Sequence, residues 1–461
     1  MLPAAISGQS GKKHACLGAR SVPIWGVNPI ARVDDVMITN KRNTSGVLAT
    51  WVFVASGLSA SANGFRLAGQ DAFATARGGA FVATADNASA VYYNPAGITQ
   101  LEGLNFRGGM YGIYLDPSFT PPPPRNTNTY HIHNQWAAVP QFFGTYTPKD
   151  WPLSFGLGVY APYGGNMGWP QDTGFRSVAI SGSLDYVTVN PAVALKLAPN
   201  FSIAGGLMVN YADLAMDQGL LRFQRPLTNF FRFEGNGWSV GYNLGVLWQP
   251  HEKISLGATF RSTATVRLDG QTEFEQQPLR GLYPATNRVA HADFKFPLTA
   301  VVGISYRPTP KWNLEFDADY TDWSSFGTID LYQKNPPAGL KTNTPVILKW
   351  EASWIYEFGV TRYFDNGWRV SAGYAFDENS VPDGYYSPLA ADLDRHFISA
   401  GVGFRGKRFD LDLAYQFGYG PAHTVSGSHP SSTPGRFAGQ TADGKYDFIS
   451  HVVQLTVGMH F

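Results

Sequence analysis

The feature that most constrains this chain is a long alternation of apolar and polar residues with a period of two. From Trp238 to Trp248 the even positions are apolar, while positions 239 to 245 alternate with them as serine, glycine or asparagine. Residues 254–268 and 348–360 divide in the same way. These segments exceed ten residues, whereas soluble strands centre on about five or six and a tilted membrane-spanning strand needs about 9 to 11. We therefore predict membrane-spanning strands; a soluble β-sandwich, which would also alternate, is the alternative.

Counting such segments predicts an all-β protein, an antiparallel transmembrane β-barrel of about 14 strands. Short turns such as 198–200 and 364–367 alternate with long polar loops, and apolar-face aromatic residues such as Trp312 and Tyr320 cluster at strand ends. Both features are typical of outer-membrane barrels. The expected strands are 104–115, 135–147, 153–162, 184–197, 201–213, 233–249, 253–268, 289–306, 312–326, 346–363, 367–377, 395–405, 408–419 and 446–461.

The N-terminus resembles a targeting segment. Lys41 and Arg42 precede an apolar run, 46–58, and the small residues 59–62 would suit cleavage before Asn63. We predict that residues 1–36 are a non-native upstream extension, since Met37 would make a conventional start, and that 37–62 are a signal peptide. The expected domains of the exported protein are an N-terminal hatch, 63–103, and the barrel, 104–461. Its expected location is the outer membrane of a Gram-negative bacterium.

Charge and cysteine content limit the kinds of partner and cofactor that we expect this chain to bind. The chain has 35 basic and 34 acidic residues, which gives no reason to expect nucleic acid as a partner. The only cysteine, Cys16, precedes the apolar run, so neither a disulfide framework nor a thiolate metal site is available after processing. No metal or organic cofactor is implied. We expect a monomer surrounded by outer-membrane lipids and lipopolysaccharide, with the C-terminal Phe461 read by the barrel assembly machinery.

A barrel of this size needs something to fill its lumen, because only small barrels are filled by their own side chains. Residues 63–103 are long enough to do so. They include the stretch "ASAVYYNPAGIT", in which Pro95 lacks a backbone N–H and biases Asn94 toward extended geometry, so neither a helix nor a strand should run through it. We predict that Asn94, Pro95 and Ala96 form a fixed turn of a hatch inside the barrel.

Five ordered segments give the chain a resemblance to a known family. They are 76–97 with its Asn94-Pro95-Ala96 triplet, 159–169 ("VYAPYGGNMGW"), 235–250, 312–326 ("WNLEFDADYTDWSSF") and 364–383. Together they resemble the long-chain fatty acid transporter family of outer-membrane proteins, which includes uptake channels for toluene and related aromatic hydrocarbons. The resemblance implies a hydrophobic small-molecule ligand that is captured at the outer loops, passes into a pocket in the lumen and leaves sideways into the membrane as the hatch rearranges.

The third predicted strand would hold the lateral gap that the resemblance implies. Gly156, Gly158, Pro162, Gly164 and Gly165 remove side chains or hydrogen-bond donors where a wall strand should pair fully. We predict an opening in the wall at these residues. A frayed strand end is the alternative.

Charged residues on the polar face are expected to point into the lumen and to hold the hatch through paired networks, because a buried charge must be paired. These residues are Arg261, Arg267, Glu315, Asp317, Asp319, Lys349, Glu351, Glu357, Asp410 and Asp412. A fatty-acid carboxylate would need a basic partner, for which Arg261 and Lys349 are the candidates. A pocket without a free basic group would favour uncharged hydrocarbons.

Two other classes of function compete with this interpretation. An outer-membrane lipid-modifying enzyme would need a nucleophilic serine with a histidine base, but the histidines lie mostly in loops or turns and no motif surrounds them. We therefore expect no enzymatic activity. A general porin for polar solutes would conduct strongly even with its hatch in place.

Overall fold

The computed structural model describes residues 64–123, 128–220, 230–275, 286–336, 341–429 and 440–461. The predicted extension and signal peptide, and the predicted cleavage site before Asn63, lie outside these residues. Within the described residues, no helix is both long and apolar enough to span a membrane.

The described residues contain twenty strands, which form one sheet in agreement with the period-two pattern. Their bounds are β1 Gly103–Thr120, β2 Tyr130–His131, β3 Trp136–Thr147, β4 Leu153–Tyr160, β5 Gly164–Gly168, β6 Ser181–Ala198, β7 Phe201–Gly219, β8 Phe230–His251, β9 Ile254–Arg261, β10 Ala264–Glu275, β11 Thr286–Phe296, β12 Thr299–Tyr306, β13 Trp312–Thr321, β14 Thr328–Gln333, β15 Asn343–Ile347, β16 Ser353–Tyr363, β17 Trp368–Asp377, β18 Arg395–Arg405, β19 Phe409–Val425 and β20 Gly444–His460.

These twenty segments make fourteen wall strands, because six wall strands are each divided in two. The divided pairs are β2 and β3, β4 and β5, β9 and β10, β11 and β12, β13 and β14, and β15 and β16. Every wall strand pairs antiparallel with its neighbours, and β20 returns to β1 from Asn105↔His460 to Thr120↔Lys445. The predicted fourteen-stranded antiparallel barrel is therefore confirmed, and its ladder closes on itself.

Short connections such as 199–200 lie at one end of the barrel, the turn end, and longer segments such as 169–180 and 378–394 lie at the other, the loop end. Outward-facing aromatic side chains form two belts. On β8, Trp238 and Trp248 are both exposed and ten residues apart. At about 3.3 Å per residue and a tilt of about 40°, that spacing corresponds to roughly 25 Å, the height of an apolar band that faces lipid.

Nearer the loop end, opposite β8 residues 241 and 242 and therefore still between the two belts, two wall strands reverse the side chains that point inward. On β9 the buried positions are Gly257, Thr259 and Arg261, but on β10 they are Ala264, Val266 and Leu268. From Asn236 to Asn243, β8 advances seven residues while its partner advances eight, from Arg261 to Asp269. This extra residue is a β-bulge, and a one-residue slip moves every later side chain to the other face.

The same reversal occurs on the next wall strand at Pro297, between β11 and β12. Phe294 and Phe296 are buried before it, and Thr299 and Val301 are buried after it. The lumen is therefore polar near the turn end and apolar near the loop end. The prediction of a single polar face along residues 254–268 is wrong, because the sequence pattern does not show the extra residue in the ladder.

The described part of the hatch, residues 64–101, lies inside the barrel. It contains helix α1 (Ala72–Ala76), helix α2 (Ala90–Tyr93) and a 3-10 helix (Pro95–Gln100). Phe73, Phe81, Val91 and Ile98 of the hatch are fully buried. They form one apolar cluster that includes inward side chains of the wall, Phe143, Tyr160, Ala192 and Ala194.

Candidate ligand chamber and hatch

Strand β13 supplies the main row of polar anchors for the hatch. Its inward residues Glu315, Asp317 and Asp319 are all buried. One carboxylate oxygen of Asp317 accepts from the backbone N–H groups of Phe81 and Val82 at 2.7 and 2.8 Å. Hatch backbone that forms no sheet ladder thus finds its acceptors on the wall, as buried N–H groups require.

Two arginines of the hatch complete this anchor. Arg77 pairs with Glu315 at 2.6 Å, and both side chains are fully buried. Glu315 also accepts from the backbone N–H groups of Ala83 and Thr84 at 2.8 and 3.0 Å. Arg66 pairs with Asp319. The prediction that these wall carboxylates form paired networks with the hatch is confirmed for Glu315, Asp317 and Asp319.

A second network joins the first hatch helix to the seam where β1, β19 and β20 meet. Arg107 of β1 forms ion pairs with Asp71, with Asp410 at 3.0 Å and with Asp412 at 2.7 Å. Asp71 also caps α1 by accepting from the backbone N–H groups at its start. Burial raises the pKa of Asp71, and the neighbouring Arg107 guanidinium acts in the opposite direction. The Arg107 guanidinium therefore partly offsets the effect of burial on the Asp71 carboxyl.

The Asn94-Pro95-Ala96 turn has contacts both within the hatch and to the wall. The Asn94 side chain is fully buried and caps the 3-10 helix by accepting from the Ala96 backbone N–H at 3.2 Å. Its amide nitrogen donates to the carbonyl of Val82 at 2.8 Å and to that of Val246 at 2.9 Å. One side chain thus fixes the turn, a hatch loop and strand β8 together.

Two adjoining apolar cavities, of about 120 and 80 Å³, lie between the hatch and the loop end. We call them the chamber. Both are lined by Met216, Phe294 and Leu348, among others, and among the described residues no charged side chain lines either one. The chamber can hold an apolar molecule without burying an uncompensated polar group.

The ring of Phe65, from the first described turn of the hatch, forms part of the chamber's floor. Its centroid lies within 4.8 to 6.1 Å of five other rings, those of Tyr163, Phe296, Trp323, Phe326 and Trp350. Such edge contacts stabilise by about 0.5–1.5 kcal/mol per pair beyond burial of area. An aromatic side chain of the hatch therefore fills a site surrounded by aromatic residues.

The ladder between the second and third wall strands has an opening, which we call the window. Strand β3 pairs with β4 only from Phe142↔Val159 toward the turn end, and β5 pairs with β6 but not with β3. Toward the loop end, a hydrogen bond from His133 N to the Gly168 carbonyl (2.8 Å) bounds the opening.

Backbone groups beside the window bond to the hatch. Leu67 N donates to the Pro162 carbonyl at 2.8 Å, and Gly164 N donates to the Phe65 carbonyl at 2.9 Å. The Gln70 side-chain amide donates to the Ala161 carbonyl at 2.8 Å. These bonds satisfy backbone N–H and C=O groups that would otherwise pair with a neighbouring wall strand. Such groups must be satisfied within the protein at membrane depth, because lipid offers no hydrogen-bond partners.

The predicted gap residues fall into two groups. Pro162, Gly164 and Gly165 lie at the division between β4 and β5. Gly156 and Gly158 do not interrupt the ladder, because both pair with β3 and with β6. Their lack of a side chain instead makes room for Val91 of the hatch, which an added Cβ at either position would approach within 2.7 to 3.1 Å.

The two predicted basic contacts for a ligand head group, Arg261 and Lys349, lie in different environments. Arg261 is buried and bonds to the hatch, donating to the Tyr92 carbonyl. Lys349 is exposed in the division between β15 and β16, and its Nζ lies 4.9 Å from the centre of the Tyr385 ring, which lines the chamber. The prediction that Arg267 points into the lumen is wrong, since it is exposed on the outer face of β10. Glu351 is also exposed, so it is not among the buried charges that hold the hatch. Arg267 lies beyond the β-bulge that reverses its strand and pairs with the exposed Asp269.

Sequence reasoning missed the aromatic lining of the chamber, including Phe294, Phe326 and Trp350. These residues come from three different wall strands or the segments between them, so no local pattern groups them. One signal was present: aromatic residues occur among polar positions close to long loops, as in "HADFKF" at 291–296. Among the described residues, no group of His, Cys, Asp and Glu is arranged to hold a metal ion.

Comparisons with known proteins agree with this architecture. A curated long-chain fatty acid transport protein of Salmonella typhi is 25% identical over 377 residues, which cover 73% of this chain and 83% of that protein. The long-chain fatty acid transport protein of Escherichia coli K12 is 24% identical over 388 residues, with the same two shares.

Two solved structures show the same fold. A FadL homologue of Pseudomonas aeruginosa superposes with a TM-score of 0.74 at 18% identity, covering 88% of this chain and 100% of that one. The Pseudomonas putida toluene transporter TodX superposes with a TM-score of 0.65 at 13% identity, covering 86% and 100%. At these identities the likeness establishes the fold alone.

The family model described as outer membrane protein transport protein (OMPP1/FadL/TodX) matches residues 52–461, which include the hatch and the whole barrel. That family consists of outer-membrane transport proteins and not of enzymes. This chain belongs to the OMPP1/FadL/TodX family and is an outer-membrane transport protein.

Proposed function

We propose that this protein takes up hydrophobic small molecules, long-chain fatty acids or aromatic hydrocarbons, across the outer membrane. The observation that carries the proposal is the chamber, whose described lining is free of charged side chains. Its larger cavity, of about 120 Å³, is comparable with the engineered apolar cavity of about 150 Å³ that binds benzene. A longer chain would need both cavities.

We further propose that the ligand is captured at the loop end, enters the chamber and leaves through the window into the bilayer. The window supports this route because it lies beside the chamber, to which Gly165 of β5 contributes. A molecule with little solubility in water gains free energy by passing into lipid and none by passing into an aqueous channel.

The hatch must rearrange for this passage to occur. Phe65 lines the chamber, and its carbonyl accepts a hydrogen bond from Gly164 N beside the window. Displacement of residues 65–67 would free both a cavity within the aromatic cluster and the backbone beside the window. A ligand ring would make edge contacts with the same aromatic residues that Phe65 contacts now.

A porin for polar solutes is the alternative function. It is less favoured because the turn-end half of the lumen is filled by hatch residues such as Phe73, Phe81 and Val91, which are fully buried. The free lumen at the loop end is apolar, and such a surface gives no advantage to a polar solute.

The lateral route can be tested at Ala161, a buried residue beside the window. Ala161→Phe should obstruct the window while leaving the larger cavity, which Ala161 does not line, unchanged. We expect purified protein to retain a hydrophobic ligand such as toluene or oleic acid, while its delivery to cells falls several-fold. Retention is measured on purified protein, and delivery by uptake of labelled ligand.

The matched control is Ala372→Phe, an outward-facing and exposed position on β17. It adds the same ring to the lipid side and should change neither binding nor delivery. If Ala161→Phe delivers ligand at the control rate, the route through the window is wrong, and release toward the turn end becomes the better explanation.

A further inference from the structure

A pair of buried asparagine side chains connects two wall strands inside the barrel. Asn190 of β6 and Asn243 of β8 are both fully buried, and they point into the lumen from either side of β7. Asn243 Nδ2 donates to Asn190 Oδ1 at 3.0 Å, and Asn190 Nδ2 donates to Asn243 Oδ1 at 3.3 Å. They meet over Gly206 of β7, where a side chain would occupy the same space. We call this pair of side chains the amide bridge.

The amide bridge reaches the window at one end and the hatch at the other. Asn190 Oδ1 also accepts from the hydroxyl of Tyr160 at 3.0 Å. Tyr160 is the last residue of β4, directly before Ala161 of the window. Asn243 Nδ2 also donates to the carbonyl of Val91 in α2 at 3.3 Å. A continuous chain of hydrogen bonds therefore joins a hatch helix to the edge of the window.

Helix α2 is in turn bonded to the hatch segment near the chamber floor. The Tyr93 hydroxyl accepts from Gln70 N at 3.0 Å and donates to the Ala68 carbonyl at 3.1 Å. These residues follow directly on 65–67, the segment whose displacement the proposed route requires. A displacement of residues 65–67 would therefore act on α2 through Tyr93, and on the amide bridge through Val91.

We propose that Asn190 and Asn243 are positioning residues, which transmit the displacement of the hatch to the edge of the window at Tyr160. The inference rests on the proposed function, since it needs a lateral route and a hatch that moves. Among the described residues, each nitrogen and oxygen atom of the two side-chain amides has a hydrogen-bond partner. A buried amide that loses one partner is left unsatisfied, so a shift of Val91 favours rearrangement of the whole chain of bonds. The window edge is thus released together with the hatch and not before it.

A purely structural role for Asn190 is the alternative. The register of β6 and β7 places Pro191 opposite Leu207, and proline has no N–H to donate. Asn190 Nδ2 donates to the Leu207 carbonyl at 2.9 Å in its place. The experiment therefore perturbs the chain of bonds at Asn243 and at Tyr160, which leaves the bond from Asn190 to Leu207 in place.

Hydrogen exchange on full-length protein in lipid nanodiscs, without ligand, tests whether the two ends are coupled. Asn243→Leu should accelerate exchange of the window-edge amides, residues 159–164, by about three- to tenfold, the value of one hydrogen bond. Tyr160→Phe, which removes only a hydroxyl, should accelerate exchange in α2, residues 90–93, by a similar factor. The double variant should exchange no faster than the faster single variant at either end, because both changes break one chain of bonds.

Asn210→Leu is the matched control. Asn210 of β7 is also a buried amide, but its side chain bonds to the hydroxyl groups of Thr188 and Ser239 on the wall. Its loss should accelerate exchange at neither end. If Asn243→Leu acts only on α2 and Tyr160→Phe only on the window edge, or if their effects add in the double variant, the amide bridge is local structure and the inference fails. That outcome leaves uptake of hydrophobic molecules standing, because no ligand is present in the measurement.

Uptake of labelled toluene tests whether the coupling serves transport. Asn243 does not line the chamber, so Asn243→Leu should retain toluene on purified protein within about twofold of the unsubstituted protein. Its delivery of toluene to cells should fall several-fold, and Asn243→Gln, which keeps the amide, should restore part of the rate. Normal delivery by Asn243→Leu, or a loss no larger than that of Asn210→Leu, would overturn the positioning role. If the unsubstituted protein does not bind toluene or oleic acid, the proposed function fails and this inference fails with it.

Discussion

Single side chains in this barrel hold together segments that are distant in sequence. Asn94 joins its own turn to the hatch loop at Val82 and to strand β8 at Val246. Glu315 joins three hatch residues in the same way, through its pair with Arg77 and its bonds to Ala83 and Thr84. Each is fully or nearly fully buried, so its loss would leave polar groups without partners and without water.

Replacing Asn94 by alanine should therefore loosen the hatch and leave the barrel intact. The carbonyls of Val82 and Val246 each lose a hydrogen-bond donor, which should reduce stability by about 1–3 kcal/mol for each group. The 3-10 helix also loses its cap. We expect faster hydrogen exchange across residues 82–100 and reduced uptake, with an unchanged amount of folded protein in the membrane. Asn200→Ala is the control, since Asn200 makes a comparable bond to the Gln249 carbonyl in an exposed turn. Equal exchange in both variants would show that the motif does not fix the hatch.

Among the elements, the wall strands accommodate the hatch through inward-facing glycines. A Cβ atom on Gly257 of β9 would overlap the backbone of Val82, and one on Gly373 of β17 would overlap the backbone at Arg77 and Gly78. On β8, Gly245 gives similar room to Asn94 and Pro95. The hatch backbone therefore approaches several strands more closely than any residue with a side chain would permit.

Gly257→Ala should displace the hatch although it adds a single methyl group. The neighbouring atoms are backbone and cannot rotate away, so a cost of about 1–3 kcal/mol is expected. Increased protease cleavage within the hatch, measured on folded protein, would report the displacement. Gly205→Ala serves as the control, because its added Cβ would meet its nearest neighbour, Leu244, at an ordinary 3.6 Å. Cleavage that is no faster than in the control would mean that the hatch adapts to the added methyl group.

At the scale of the whole molecule, the barrel has two environments along its axis. Its outer surface between the aromatic belts is apolar, as contact with lipid requires, and its lumen is polar from the turn end up to the β-bulge. Toward the loop end the β-bulge at β9 and β10 places Val266 and Leu268 inside and Thr265 and Arg267 outside. That end is therefore built like a soluble ligand-binding barrel, with its apolar chamber protected from water.

The position of the membrane can be tested with arginine. Leu244→Arg, on the outer face about midway between Trp238 and Trp248, should destabilise the inserted barrel by about 2–4 kcal/mol. Gln271→Arg, at an exposed position of β10 that pairs with Glu234 beyond Trp238, should cost less than about 1 kcal/mol. Urea titration of protein folded into lipid vesicles measures both. Similar losses would place Gln271 within the bilayer and contradict a membrane boundary at Trp238.

The sequence by itself determined the fourteen strands, the antiparallel barrel and the presence of a compact hatch containing Asn94 and Pro95. These follow from local patterns: an alternation with a period of two, turn residues at strand ends, and a proline that ends regular structure. Local patterns also predicted that buried acids such as Asp317 and Asp410 would be paired, since burial demands it.

Only the tertiary structure decided which way the loop-end residues face and what each charge contacts. The reversal at β10 depends on one extra residue relative to β8, and a slip in register leaves no mark in the strand's own alternation. Gly156 and Gly158 looked like a break but make room for Val91, which lies more than sixty residues earlier in the chain. Arg261 shares its polar face with paired charges and yet meets only neutral groups, because its neighbours come from the hatch and from other strands. Contacts of this kind are set by long-range packing, which the period of a single strand does not encode.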